Sequence, residues 1–206
     1  MFGFQNKRWL VVIIVIVILI IVIIIISQVK VCPEINKPTL PLNEIIDDLK
    51  TGDVIASHGC HFARSAMMRK YLGCKATHVA MVIRKPDDLY TIEIGPHSFN
   101  PMRTSDVKIM KLTDFLKKGK HEVFALIPTP REIEWSDEDE LRYQDIKFNY
   151  FVPTMFAPYK NYKVCSTFIA KIHEDKGLLT PEMEGKHHLV SPCSYYDSPD
   201  TIFFTR

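Results

Sequence analysis

The chain has 206 residues, 47% of them hydrophobic and 24% charged, with a formal net charge of +2. That length suits one compact domain, and the charged fraction excludes a disordered acidic or basic tail protein. Lys7 and Arg8 supply the whole surplus, while the other 24 basic side chains balance 24 acidic ones. A neutral body lacks the field that phosphate binding needs, so no nucleic-acid partner is expected.

After a short flank (residues 1–8), Trp9 to Ile26 is an unbroken apolar run of 18 residues. At about 1.5 Å per residue it spans roughly 27 Å, close to the hydrocarbon thickness of a bilayer. A cleaved signal peptide would have a shorter core, of about 7–15 residues, and a small-x-small site after it. Ser27-Gln28-Val29-Lys30 is a poor cleavage site. The expectation is an uncleaved single-pass transmembrane anchor over residues 9–27, with the membrane as a partner. Lys7 and Arg8 favour a cytoplasmic N-terminus and a body across the membrane. Which membrane this is the residues leave open.

Residues 28–42 hold three prolines and read as a tether, and 43–206 as the domain. Asn43 is placed to cap a short helix over Glu44 to Leu49. A turn at Thr51-Gly52-Asp53 leads into a strand from Val54, and a helix follows over Phe62 to Tyr71. Val79 to Ile83 and Leu89 to Ile94, joined by Lys85-Pro86-Asp87-Asp88, form a hairpin. Strands are expected at Lys108 to Leu112 and Glu122 to Ile127, with a short helix at Thr113 to Lys118 between them. Ser136 caps an acidic helix start. Residues 143–162, rich in aromatics, have no clean period and read as a loop. Cys165 to His173 forms a helix with Phe168, Ile169 and Ile172 turned inward, and Thr201 to Phe204 is extended. Short strands with helices segregated around them suggest an α+β fold.

A thiol nucleophile needs a base, an orienting group for that base, and donors for an oxyanion. Cys165 begins a helix, where free N–H groups and the dipole both lower a thiol pKa. His78 opens the first hairpin strand and Glu93 lies near the end of the second. The hairpin register that pairs Lys85 with Asp88, Ala80 with Glu93 and His78 with Gly95 puts both side chains on one sheet face. As diagonal neighbours they stand about 7–8 Å apart at the backbone, within a glutamate's reach of an imidazole.

Four segments occur in order: Leu49-Lys50-Thr51-Gly52-Asp53-Val54-Ile55, Thr77-His78-Val79-Ala80-Met81-Val82-Ile83, Ile92-Glu93-Ile94 and Tyr162-Lys163-Val164-Cys165-Ser166-Thr167-Phe168-Ile169. Together they resemble the circularly permuted branch of the NlpC/P60 papain-like superfamily, the YiiX/YaeF-type permuted amidases, over roughly residues 45–200. The resemblance implies a permuted papain-like domain, an antiparallel sheet packed on helices. It also implies Cys165 as nucleophile, His78 as general base and Glu93 as the group orienting it, with no cofactor and no metal. The activity implied is a thiol hydrolase or acyltransferase acting on a peptide-type amide or an acyl-lipid bond, the substrate being lipid-linked or peptide. The long aromatic insertion at 128–160 departs from the family pattern, so substrate preference does not carry over.

Rival readings are few. A catalytically silent member would keep the fold and tether a partner to the membrane. His58, Cys60, His61 and Cys74 fall short of the paired knuckles of structural zinc, and a loop in solvent is the plainer expectation for them. Cys165 with Cys193 would be a redox pair, but no C-x-x-C pattern supports it.

Overall fold

The computed structural model describes residues 3–28, 35–58, 69–70, 75–95, 107–117, 123–144, 146–148, 162–178, 190–196 and 198–206. Nine strands and five helices are described here: α1 (Gly3–Gln28), β1 (Thr39–Pro41), β2 (Val54–Ser57), β3 (His78–Arg84), β4 (Leu89–Ile94), β5 (Val107–Lys111), α2 (Leu112–Lys117), β6 (Val123–Ile127), α3 (Asp137–Gln144), β7 (Lys147–Phe148), β8 (Tyr162–Lys163), α4 (Cys165–Asp175), α5 (Pro192–Tyr196) and β9 (Ile202–Thr205). The fold is mixed α+β, on a seven-stranded sheet of order β1-β9-β6-β2-β3-β4-β5.

β3 and β4 form the expected hairpin, with Met81 opposite Ile92 and Arg84 opposite Leu89. Extended by the same count, that register sets Ala80 against Glu93 and His78 against Gly95. Alternation sorts the central strands onto two cores. Val79, Met81, Ile92 and Ile94 pack with Phe168, Ile169 and Ile172 of α4. Ala80, Val82, Phe124 and Phe204 pack on the other face with Leu112, Phe115 and Leu116 of α2. Phe124 and Phe204, opposite each other in β6 and β9, stack with centroids 5.4 Å apart. Each such buried side chain contributes about 1.5–3 kcal/mol.

Two expectations need correction, and a third lies almost wholly outside the described residues. Residues 39–41 of the expected tether form β1, which pairs parallel with β9, so the sheet is mixed rather than purely antiparallel. In place of a helix over Glu44 to Leu49 there are two 3-10 turns, Leu42–Glu44 and Ile46–Asp48. Ile45, at φ −117°, separates them, so Asn43 lies inside a turn and caps nothing. The helix expected over Phe62 to Tyr71 falls almost wholly outside the described residues, of which Arg69 and Lys70 are helical.

Gly52 turns the chain into β2 at φ 111°, where a side chain's Cβ would meet Thr129 Oγ1 at 3.3 Å. Asp53 beside it is buried, and its carboxylate accepts from the Lys50 N–H at 2.9 Å, the Thr129 N–H at 2.8 Å and the Thr129 hydroxyl at 3.0 Å.

α1 runs for 26 residues. Its described side chains, Trp9 and Val11 to Ile25, are exposed on every side, so it presents no amphipathic face. Among the described residues, no helix is long and apolar enough to cross a membrane.

Candidate active site

α4 starts where an extended Val164 gives way to helix, and Phe168 N–H closes the first turn on Val164 O at 2.9 Å. Thr167 holds that start. Its hydroxyl oxygen accepts from the Val164 N–H at 3.0 Å and its O–H donates to Val164 O at 3.1 Å. Ser166 donates to Val190 O at 2.8 Å, tying α4 to the segment before α5. Both hydroxyls are buried and engaged, where the sequence reading gave them no such work. They leave Cys165 at the first helical position, nearly buried, as a free thiol.

His78 is the first residue of β3. Its Nε2 lies 2.6 Å from Glu93 Oε2. An ionised carboxylate only accepts, so Nε2 carries the proton and Nδ1 is left for the thiol. The imidazole also leans on the Phe115 ring of α2, with centroids 6.4 Å apart. Cys165 and His78 lie near enough to act on each other's charge, and the backbone N–H groups of Val79 and Ser166 also favour a charged sulfur.

The electrostatics follow from that geometry. Burial pushes the Cys165 thiol up, but the His78 charge and hydrogen bond, with the two N–H groups, outweigh it and bring it below the ordinary thiol value. Burial pulls His78 down, while the Cys165 sulfur and the Glu93 carboxylate outweigh it and hold the ring above the ordinary histidine range. The two shifts favour a thiolate facing an imidazolium. Thus Cys165, His78 and Glu93, far apart in the chain, come together.

Tyr195 is the residue that sequence reasoning missed. It sits on α5, is buried, and its hydroxyl has no hydrogen-bond partner among the described residues. Burial first, and the charge of the neighbouring Cys165 second, push its pKa well above the ordinary phenol value.

No family model matches the sequence, and no curated protein matches it. Among solved structures, a crystal structure described as metalloprotein yiiX from Escherichia coli O157:H7 is similar, with a TM-score of 0.49 and 16% identity over 75% of this chain and 95% of that one.

The rival clusters fare differently. His58 is not in solvent: it is buried at the end of β2, 3.0 Å from Val123 O through Nδ1, and edge-on to Tyr196 at 5.2 Å. Cys60, His61 and Cys74 lie outside the described residues, among which no three His, Cys, Asp or Glu side chains could hold a metal ion. Cys193 is disulfide-bonded while Cys165 is free, so the two are not a redox pair.

Proposed function

We propose that this chain is a membrane-anchored thiol hydrolase or acyltransferase, acting on an amide or ester bond of a lipid-linked or peptide substrate. The observation that carries the reading is the 2.6 Å His78–Glu93 bond behind an imidazole that is paired, on its other side, with a thiol of lowered pKa. In the reaction the Cys165 thiolate attacks the substrate carbonyl carbon, forming a C–S bond and an oxyanion. Free backbone N–H groups at the start of α4 stabilise that oxyanion. The intermediate collapses to a thioester as the leaving amine or alcohol takes the His78 Nδ1 proton. Water or another acceptor then attacks the thioester, with His78 taking its proton and the Cys165 thiolate leaving. Glu93 keeps the ring oriented throughout.

The anchor reading is supported by the unbroken apolar run from Trp9 to Ile26 and by the exposure of the described α1 side chains on every side. The disulfide at Cys193 suits a domain on an oxidising side of the membrane, with Lys7 and Arg8 on the other. Two measurements test these readings. A thiol-directed activity probe should label Cys165 ahead of every other thiol, and His78→Ala should suppress that labelling. Equal labelling of all accessible thiols would leave a silent, tethering protein as the better account. The chain should also resist alkaline carbonate extraction from membranes, whereas a version lacking residues 1–27 should be released.

A further inference from the structure

The His78 imidazole is bounded by residues of three different elements. Glu93 holds its Nε2 at 2.6 Å. Phe115 of α2 lies against it with centroids 6.4 Å apart, and is itself backed by Phe124 at 6.5 Å. Beside Cε1 stands Gly95, just past the end of β4, where an added Cβ would lie 3.4 Å from that carbon. Register explains the closeness. Counting on from Met81 opposite Ile92 sets Gly95 directly across from His78, with Glu93 as the diagonal neighbour. To reach Glu93 the imidazole leans over β4, on the face where a side chain at 95 would stand. On the other flank of β3, Ser57 is opposite His78, so a small residue stands there too.

The backbone does not require glycine at 95. Among the described residues the positive-φ glycines are Gly52, at 111°, and Gly177, at 65°. What glycine supplies at the end of β4 is room for the close approach of another group. We propose that Gly95 is a positioning residue of the site: its missing side chain leaves the slot in which the His78 imidazole lies against Glu93. The inference rests on the reading of His78 as base and Glu93 as its orienting carboxylate. A methyl at 95 would just touch the ring. Valine would add two γ carbons, each about 1.5 Å farther out, in two of the three staggered positions, and could not turn both away. Phe115, backed by Phe124, closes the way out toward α2, so the ring would have to turn off Glu93. Gly95 acts through His78 and touches no reacting atom.

The test uses the full chain in detergent, with Gly95→Ala, Gly95→Ser and Gly95→Val as a series of growing side chains. The rate of Cys165 alkylation by iodoacetamide at neutral pH reads the thiol. The titration of the His78 ring, followed by NMR on isotope-labelled histidine and identified by its loss in His78→Ala, reads the contact with Glu93. Gly95→Ala should keep alkylation within about threefold of wild type, because 3.4 Å is close to an ordinary van der Waals contact. Gly95→Val should lose about a hundredfold, the scale of a 1 Å misplacement, with Gly95→Ser between the two. The His78 titration midpoint should fall in the same order, as the ring parts from its carboxylate. In Glu93→Ala the ring has no carboxylate to be turned from, so Gly95→Val should add no more than about threefold to the loss. Urea unfolding of Gly95→Ala and Gly95→Ser should match wild type, and Gly95→Ser carries the series should valine prevent folding. Wild-type alkylation and an unmoved His78 titration in a folded Gly95→Val, or in Gly95→Ser where valine does not fold, would overturn the inference. So would losses that simply multiply with Glu93→Ala. A wild-type Cys165 no faster than the other thiols, with the His78 midpoint still falling along the series, would instead refute the hydrolase reading and leave the slot standing.

Discussion

β3 has two ends, and they are finished differently. At its Arg84 end the Leu49–Asp53 turn is saturated. Thr51 Oγ1 accepts from the Arg84 N–H at 3.0 Å, the Arg84 guanidinium donates to Leu49 O at 2.6 Å and 2.9 Å, and Asp53 accepts three bonds. At its His78 end an imidazole and a carboxylate are paired with a thiol near them, and the buried Tyr195 hydroxyl of the same core has no partner among the described residues. A buried polar group left without a partner costs about 1–3 kcal/mol, so the first end reads as architecture and the second as chemistry. The nucleophile helix joins the two: α4 starts with Cys165 at the site, and His173 near its other end meets Gly52 O at 2.9 Å.

The sharpest way to break this contrast is at His78. His78→Ala should slow Cys165 alkylation at neutral pH by about a thousandfold, the scale on which triad members act. Without the imidazolium the titration midpoint of that alkylation should climb to the ordinary thiol value of 9.0 or beyond, because burial of the sulfur persists. Urea unfolding should change little. Asp53→Ala predicts the reverse pattern: a loss of about 3–4 kcal/mol in urea unfolding, from stranded donors at Lys50 and Thr129, with the alkylation midpoint unmoved. If Asp53→Ala shifts the midpoint as far as His78→Ala does, the two ends are one unit and the contrast fails.

The link between the ends should show in pH. Burial holds His173 down to about 4, against 6.5 for a free ring. A depressed histidine contributes stability that is full above the unfolded value of about 6.5. As pH falls toward 4 the unfolded chain gains a proton that the folded chain refuses, and roughly 3 kcal/mol drains away. His173→Gln should flatten the unfolding free energy measured between pH 7 and pH 4, relative to wild type. A wild-type slope preserved in that variant would assign the loss to other groups. The smallest effect is expected at Thr167. Thr167→Val removes the bonds at the start of α4 and should cost about 1 kcal/mol in melting, with Thr167→Ser restoring most of it.

What could be read from residues alone follows a physical line. The β3–β4 register was legible because alternation and a short turn fix it locally, and with it the meeting of His78 and Glu93. Cys165 was legible because a helix with a strong apolar stripe starts there. Parallel β1 was not, since three residues ending in a proline carry no period and their partner lies at the far end of the chain. Tyr195 and Cys193 were hidden for a similar reason: five helical residues are too few for a stripe, and what makes a buried hydroxyl notable is the absence of a neighbour, which only three dimensions reveal. His58 was misread because Gly59 and the histidines and cysteines nearby look like a loop, while its own side chain turns inward beneath Tyr196.

The place of β9 between β1 and β6 bears on how the protein is made. β9 leaves the ribosome long after β1, yet it is an interior strand, so the sheet has a gap in it until residues 202–205 arrive. At roughly 5–20 residues per second, β1 waits on the order of ten seconds for the strand it pairs with. Cys165 and Tyr195 also emerge late, long after His78 and Glu93. Synthesis itself therefore sets an order: the nascent chain holds His78 and Glu93 well before Cys165 can join them.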